Sequence, residues 1–388
     1  MVRRVSILGA TGSIGQSTLD VLQALGGRDA FQVVALTGHS DIKGLAAAAK
    51  ATGAEIAVTA DPTRLDDLAA ALGDCGTEAA AGPEALLDAA RRPADWTMAA
   101  IVGAAGLAPT LAAAENGGVI ALANKECLVS AGGLFLRSAE AHGATVIPVD
   151  SEHSAIFQCL DERAGAPSKF ILTASGGPFR DWPLEKMAAV TPEIARAHPT
   201  FSMGLKISID SATMFNKALE MLEARWLFGA TEATLDVVVH PQSIVHSAVA
   251  YADGAMIAQL GLPDMRTAIG YALTYPDRGA LPVEPLDLMA LGQLDFEAPD
   301  EARFPAIRLA RSIMGESELA GAAFNAAKET ALEAFIQRKI AFLDMAPVTE
   351  NVLSRLTPLP APRELGDVYE IDATARRLAV EEMKRIAA

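Results

Sequence analysis

VSILGATGSIG, residues 5–15, is a short apolar strand that runs directly into a glycine-rich turn. Apolar residues then recur at helical spacing through Leu25. Gly9, Gly12 and Gly15 have the spacing of a dinucleotide-binding fingerprint. Such glycines permit a tight turn and let a pyrophosphate approach the helix N-terminus. The strand before and the helix after give the pattern its weight, since glycine spacing alone is weak. A second strand, Phe31 to Thr37, ends in GHSDI. There a nicotinamide dinucleotide fold chooses between a ribose 2′-hydroxyl and a 2′-phosphate. His39, Ser40 and Asp41 give a mixed signal, and Asp41 equally suits a helix cap.

Working outward, further strands are expected at Ile56–Val58, Trp96–Val102, Gly118–Leu122 and Thr145–Val149, separated by helical stretches. This alternation points to an α/β, Rossmann-like, doubly wound sheet up to about residue 150. The fifth strand ends in LANKE, so Asn124, Lys125 and Glu126 sit at a strand's carboxyl end, where open α/β sheets hold ligands. Cys127 has no base nearby and reads as buried and inert. The next strand ends in DSEH. Asp150 and Glu152 either cap a helix starting near Ser154, with Ser151 or His153 exposed, or bind a hard cation such as Mg²⁺ or Mn²⁺ through carboxylate oxygens. A strand at Phe170–Thr173 leads into ASGGPF, where Ser175 opens a donor-rich turn suited to an anion.

HPTFSMGLKISIDSATMFNKALE, residues 198–220, has two unlike halves. HPTFSMG fits neither period and reads as an ordered loop or lid containing His198 and Gly204. A short strand is expected at Lys206–Ile209, with Asp210 and Ser211 capping the helix that follows. On that helix Phe215, Leu219, Leu222 and Trp226 share one arc, while Asn216, Lys217 and Glu220 share another. A hydroxyl, an amide and an ammonium near a helix start suit a phosphate, and a carboxylate one turn deeper suits a metal. The alternative is a cap plus an ordinary Lys217–Glu220 pair. DVVVHPQSIVHSAV then reads as strand, turn and strand, with His240 a core group rather than a catalyst.

The 388 residues are long for one core, and the net charge of −16 disfavours nucleic acid and anionic membrane as partners. It does not exclude a phosphorylated ligand, which local positive groups decide. Cys75, Cys127 and Cys159 show neither paired nor metal-type spacing, consistent with free thiols in a reducing cytoplasm. No membrane span is expected, because Gly103, Gly106 and Pro109 interrupt the apolar run 99–114. Residues 280–304, with several prolines and no apolar period, read as a linker. Beyond them helices are expected at 306–314, 322–338, 345–356 and 371–386, packed as a small bundle.

GATGSIG, LANKE, PVDSEH, TASGGPF, HPTFSMGLKISIDSATMFNKALE and HPQSIVHS resemble, in this order and over nearly the whole chain, the motifs of the 1-deoxy-D-xylulose-5-phosphate reductoisomerase family. The resemblance implies an NADPH-binding domain over 1–150 and an α+β catalytic and dimerisation domain over 151–280, with a lid near 175–205. A linker over 281–304 and a C-terminal helical bundle over 305–388 would follow. It further implies a cytoplasmic homodimer that uses NADPH and a divalent metal, Mg²⁺ or Mn²⁺ with Co²⁺ as a third candidate. Its substrate would be a phosphorylated sugar. Matched residue by residue, Asp150, Glu152 and Glu220 look like the metal ligands. Lys125, Ser151, Ser175, His198, Ser211, Asn216 and Lys217 resemble the substrate-binding set. Thr11, Gly12, Ser13, Ile14, His39, Ser40, Asp41, Asn124, Glu126 and Gly204 fall where the family meets its cofactor. The chain departs from the family pattern at Phe201, Cys127, Ala218 and Lys328, where Trp, Ser, Gly and Asn are usual, and GHSDI lacks the usual basic-Asn pair.

Overall fold

A computed structural model describes residues 2–161, 165–197 and 204–386. Two compact units divide the chain, the first comprising Met1–Cys127, Phe135–Phe157 and Asp264–Glu284. Its sheet has seven strands: β1 (Arg3–Leu8), β2 (Phe31–Gly38), β3 (Ile56–Thr59), β4 (Glu78–Ala81), β5 (Trp96–Ala99), β6 (Gly118–Leu122) and β7 (Ala144–Pro148). Every pairing is parallel, in the order β4-β3-β2-β1-β5-β6-β7. The order reverses at β1 and β5, the position at which doubly wound sheets open a crevice for a ligand.

Sequence reading finds six of these strands and misses β4, which makes LANKE the end of the sixth strand. β4 reads EAAA, with no β-branched residue to mark it, and lies half-exposed at the sheet edge. Val5, Ile7, Val33, Leu36, Trp96 and Met98 form the centre of the core, each essentially excluded from water. Burial of one such aliphatic side chain contributes about 1.5–3 kcal/mol.

The expected boundary at 280 is not where the chain changes unit. Residues 264–284 return to the first unit, where the helix Met265–Thr274 buries Ile269, Ala272 and Leu273. Trp96 Nε1 donates to the Ala272 carbonyl at 3.0 Å, and Phe157 stacks edgewise on Tyr271. Nothing in the local pattern of that helix distinguishes which core it serves.

The second unit comprises Leu128–Leu134, Gln158–Pro263 and Pro285–Ala388. Its sheet, β8 (Lys169–Ala174), β9 (Leu235–Val239), β10 (Val245–Ala250) and β11 (Met256–Leu260), is ordered β11-β10-β8-β9. β8 and β9 are parallel and the other pairs antiparallel. The C-terminal helices Ala306–Ile313, Glu318–Ile336, Met345–Leu356 and Leu365–Ile386 belong to the same unit as this sheet. Helix Glu318–Ile336 starts four residues before the expected 322, because Ser317 caps it and its first turns are buried nearly all round. A helix buried on every side shows little amphipathic period. Part of the expected linker is pinned in place. Glu297 pairs with Val239 in an antiparallel bridge, and His240 Nδ1 donates to the Asp295 carbonyl at 2.7 Å. No helix among the described residues is long and apolar enough to cross a membrane.

Candidate active site

In the first unit, β1 delivers the chain into the glycine turn at the point where the strand order reverses. Gly9 adopts φ +95°, and a Cβ there would lie 2.6 Å from the Ala100 carbonyl oxygen. A Cβ on Gly15 would lie 2.3 Å from the Gly9 oxygen, so this glycine closes the helix onto the strand. Gly12 differs, since its Cβ would make only ordinary contact and the residue itself is exposed. The helix Ser13–Ala24 begins there with no side-chain cap. Its first N–H groups lack intrahelical partners and, together with the positive end of the dipole, make an anion seat beside Thr11, Ser13 and Ile14.

At the end of β2, His39, Ser40 and Asp41 are exposed. The Asp41 carboxylate accepts from Gly44 N at 2.9 Å and caps the helix Ile42–Thr52, so of its two sequence readings the cap is realised. Asn124 is buried. Its amide donates to the carbonyls of Ile101 and Gly103, and its Oδ1 accepts from Cys127 N at 2.8 Å. The side chain thus ties the end of β6 to the helix Glu126–Ala141. Glu126 and Cys127, in the first turn of that helix, are also buried.

β7 ends at Pro148 and the next helix, Ser151–Cys159, starts three residues earlier than expected. Asp150 Oδ1 accepts from Glu152 N at 3.2 Å and His153 N at 3.4 Å, which is the cap, while its Oδ2 pairs with Lys125 Nζ. The Ser151 hydroxyl donates to the Glu152 carboxylate. Lys125, Asp150, Ser151 and Glu152 are therefore one cluster at the carboxyl ends of β6 and β7. His153, expected at the surface as an alternative to Ser151, is wholly buried. It follows Glu152 on the helix and turns inward while Ser151 remains half-exposed.

In the second unit β8 leads into Ser175-Gly176-Gly177, with φ +82° and +69° at the glycines. Gly177 N donates to Ser175 Oγ at 3.2 Å. A Cβ on Gly177 would lie 2.9 Å from the Ser211 carbonyl oxygen, so this turn packs directly on the helix that carries Ser211. Arg303 Nη1 donates to the carbonyls of Arg180 and Trp182, each at 2.7 Å, and anchors the segment that follows.

The expected strand at 206–209 is instead part of a helix, Leu205–Ala212, so Asp210 and Ser211 lie in its last turn and cap nothing. The β-branched Ile207 and Ile209 give a period of two, but Ile209 is buried and Ile207 exposed on a helix of two turns. Gly204 precedes it, exposed, with no atom near its Cβ position. Met214, at φ +62°, breaks the chain between this helix and the next, Phe215–Phe228. That kink sets Asn216 and Lys217 in the first turn of the second helix.

Asn216 Nδ2 donates to Glu220 Oε1 at 2.5 Å and Lys217 Nζ donates to Oε2, with Lys217 and Glu220 both buried. A surface Lys–Glu pair three residues apart would be unremarkable in energy. A fully desolvated one costs several kcal/mol per ion and is not retained for stability alone. The described part of the expected lid contains two single-turn helices, Leu184–Met187 and Pro192–Ala195, with Met187 and Ala195 wholly buried. His198 and Phe201 lie outside the described residues.

Sequence reading misses two features of this unit. Glu223, one turn beyond Glu220, is also a buried carboxylate. Lys328 Nζ bonds Asp210 Oδ2 at 2.9 Å, with both residues buried. The pair is separated by 118 positions, so no local spacing could announce it. His240 is a core group as expected, since its Nε2 accepts from Ile244 N at 3.1 Å while Nδ1 donates to Asp295.

Comparison with known proteins supplies the identity of this arrangement. The family described as 1-deoxy-D-xylulose 5-phosphate reductoisomerase matches residues 5–132, and two C-terminal domains of the same family match 146–228 and 260–378. A curated relative from Sinorhizobium medicae, named 1-deoxy-D-xylulose 5-phosphate reductoisomerase, is 60% identical over 97% of both chains. A solved structure of the Zymomonas mobilis enzyme in complex with NADPH is 51% identical, with a TM-score of 0.93 over 99% of each chain. Another, DOX-P reductoisomerase in complex with NADPH, fosmidomycin and magnesium, is 41% identical with a TM-score of 0.93 over 100% of this chain and 99% of that one. The chain belongs to the 1-deoxy-D-xylulose 5-phosphate reductoisomerase family.

Proposed function

We infer that this chain rearranges 1-deoxy-D-xylulose 5-phosphate and reduces the product with NADPH to 2-C-methyl-D-erythritol 4-phosphate, a step toward isoprenoid precursors. Whole-length membership of the family carries the reading, and the chemistry of the buried groups supports it. The glycine turn and the uncapped helix at Ser13 take the cofactor pyrophosphate, with Asn124, Glu126 and Gly204 assigned to the same ligand. Asp41 caps the helix through Oδ1, and His39 and Ser40 beside it are assigned to the 2′-phosphate.

Asp150, Glu152 and Glu220 are the ligands of one divalent cation, an all-oxygen donor set suited to Mg²⁺ or Mn²⁺ and open to Co²⁺. A cation held by these residues would supply Lewis-acid polarisation of the substrate ketone. Ser151 and Lys125 orient the hydroxyl and carbonyl end, since each already bonds a carboxylate of the same set. Ser175, Ser211, Asn216 and Lys217 cradle the phosphate, supported by the packing of Gly177 on Ser211 and by the helix N-terminus at Phe215. His198 is assigned to the substrate-binding set by the family resemblance.

The protein is read as a cytoplasmic homodimer. The edge strand β11, with Met256 and Ile257 exposed, supports pairing with a second copy. Purified protein with 1-deoxy-D-xylulose 5-phosphate, NADPH and Mg²⁺ is expected to consume nicotinamide absorbance and lose that activity on chelation. Oxidation insensitive to EDTA would remove the metal from the reaction, and binding of NADPH with no turnover would make the chain a cofactor sensor.

A further inference from the structure

We propose that Lys328 is a positioning residue for the phosphate cradle, acting through Asp210 by cancelling its charge. The inference rests on the assignment of Ser211 to that cradle. Asp210 immediately precedes Ser211 in the last turn of the helix Leu205–Ala212. That turn is an electrostatically poor place for an anion, because helix C-termini carry partial negative charge. A buried carboxylate beside it worsens the repulsion in a medium that screens it weakly.

The ammonium of Lys328 meets Asp210 Oδ2 at 2.9 Å, and the two side chains are only 4% and 11% exposed. It arrives from the helix Glu318–Ile336, so the C-terminal bundle supplies the neutralising charge. The Ser175 turn packs on the same stretch, Gly177 lying against the Ser211 carbonyl and Ala212 Cα. Thr213 Oγ1 also donates to the carbonyls of Ile209 and Asp210, at 2.8 and 3.2 Å. The turn bearing Ser211 is thus fixed from several sides, and Lys328 brings a positive charge against the carboxylate beside it. A purely structural ion pair would set stability alone. A charge-cancelling one sets the affinity for a dianion.

The test compares Lys328→Met, Lys328→Gln, Asp210→Asn/Lys328→Met and Ser211→Ala by steady-state kinetics, inhibition by inorganic phosphate, and thermal unfolding. Lys328→Met is expected to raise KM for the phosphorylated substrate about tenfold with kcat within about twofold, and to weaken phosphate inhibition by the same factor. Lys328→Gln keeps a donor for Asp210 without the charge, and is expected to raise KM likewise if the Met variant does not fold. Replacing Asp210 by Asn in the Lys328→Met background is expected to restore KM to within about twofold of the parent. A lowered Tm with KM unchanged in Lys328→Met or Lys328→Gln, while Ser211→Ala raises KM, would overturn the inference and leave the phosphate cradle standing. A double variant whose KM stays as high as that of Lys328→Met would also overturn it. If Ser211→Ala leaves KM unchanged as well, the cradle assignment fails and the inference falls with it.

Discussion

Glu220 combines total burial with two charged or polar donors, Asn216 and Lys217, and a third role proposed as metal ligand. Glu220→Gln keeps the shape and removes the charge. It is expected to lower kcat by about three orders of magnitude, because several kcal/mol of charge stabilisation goes with the cation. Thermal unfolding should also shift downward, since the buried Lys217 loses the charge of its Glu220 partner. Wild-type kcat at saturating Mg²⁺ would take Glu220 out of the site. At the cofactor end, Ser40→Asp adds a carboxylate at the position assigned to the 2′-phosphate. The ratio of kcat/KM for NADPH over NADH is expected to fall by about tenfold or more, through like-charge repulsion of the 2′-phosphate. An unchanged ratio would place the 2′-phosphate elsewhere. Residue identities such as Asp150, Lys217 and Glu220 are legible because the motifs are local. Their surroundings are not: that Lys217 is buried, or that Asp210 meets Lys328, depends on contacts no spacing encodes.

At the scale of elements, the glycine turn separates folding from binding. Gly15→Ala would drive a Cβ to 2.3 Å from the Gly9 oxygen, and the helix Ser13–Ala24 would have to shift. Reduced stability together with lost NADPH binding is expected from it. Gly12→Ala has room, its nearest contact being 3.5 Å. That variant should unfold like the parent yet bind NADPH more weakly in a fluorescence titration, because the methyl group intrudes where the pyrophosphate approaches. Equal NADPH affinity would move the pyrophosphate away from Gly12. The Rossmann-like half was readable because β1, the glycines and the following helix obey three rules at once. The segment 205–212 was not, since two isoleucines spaced by two imitate a strand while the helix that forms is only eight residues long. β4 escaped for the opposite reason, an alanine run with no strand chemistry.

For the whole molecule, an α/β cofactor half, several strands in the middle of the chain and C-terminal helices are legible in the sequence. It did not convey that 264–284 rejoins the first unit, or that the C-terminal helices share a unit with the second sheet. Both facts concern which apolar faces meet, and alternative partners of similar hydrophobicity are equal to a local reading. The exposed apolar edge of β11 is the element proposed to join two copies. Ile257→Lys is expected to convert a dimer to a monomer in analytical ultracentrifugation without changing the far-ultraviolet spectrum, whereas a dimer retained unchanged would exclude this edge. Asp150, Glu152 and Glu220 are proposed to serve one cation, and Mn²⁺ titration followed by electron paramagnetic resonance puts that assignment to the test. One tight ion per chain is expected in the parent protein and none in Asp150→Asn, in Glu220→Gln or in the two combined. Tight Mn²⁺ binding undiminished in Glu220→Gln, by a protein that remains folded, would contradict it.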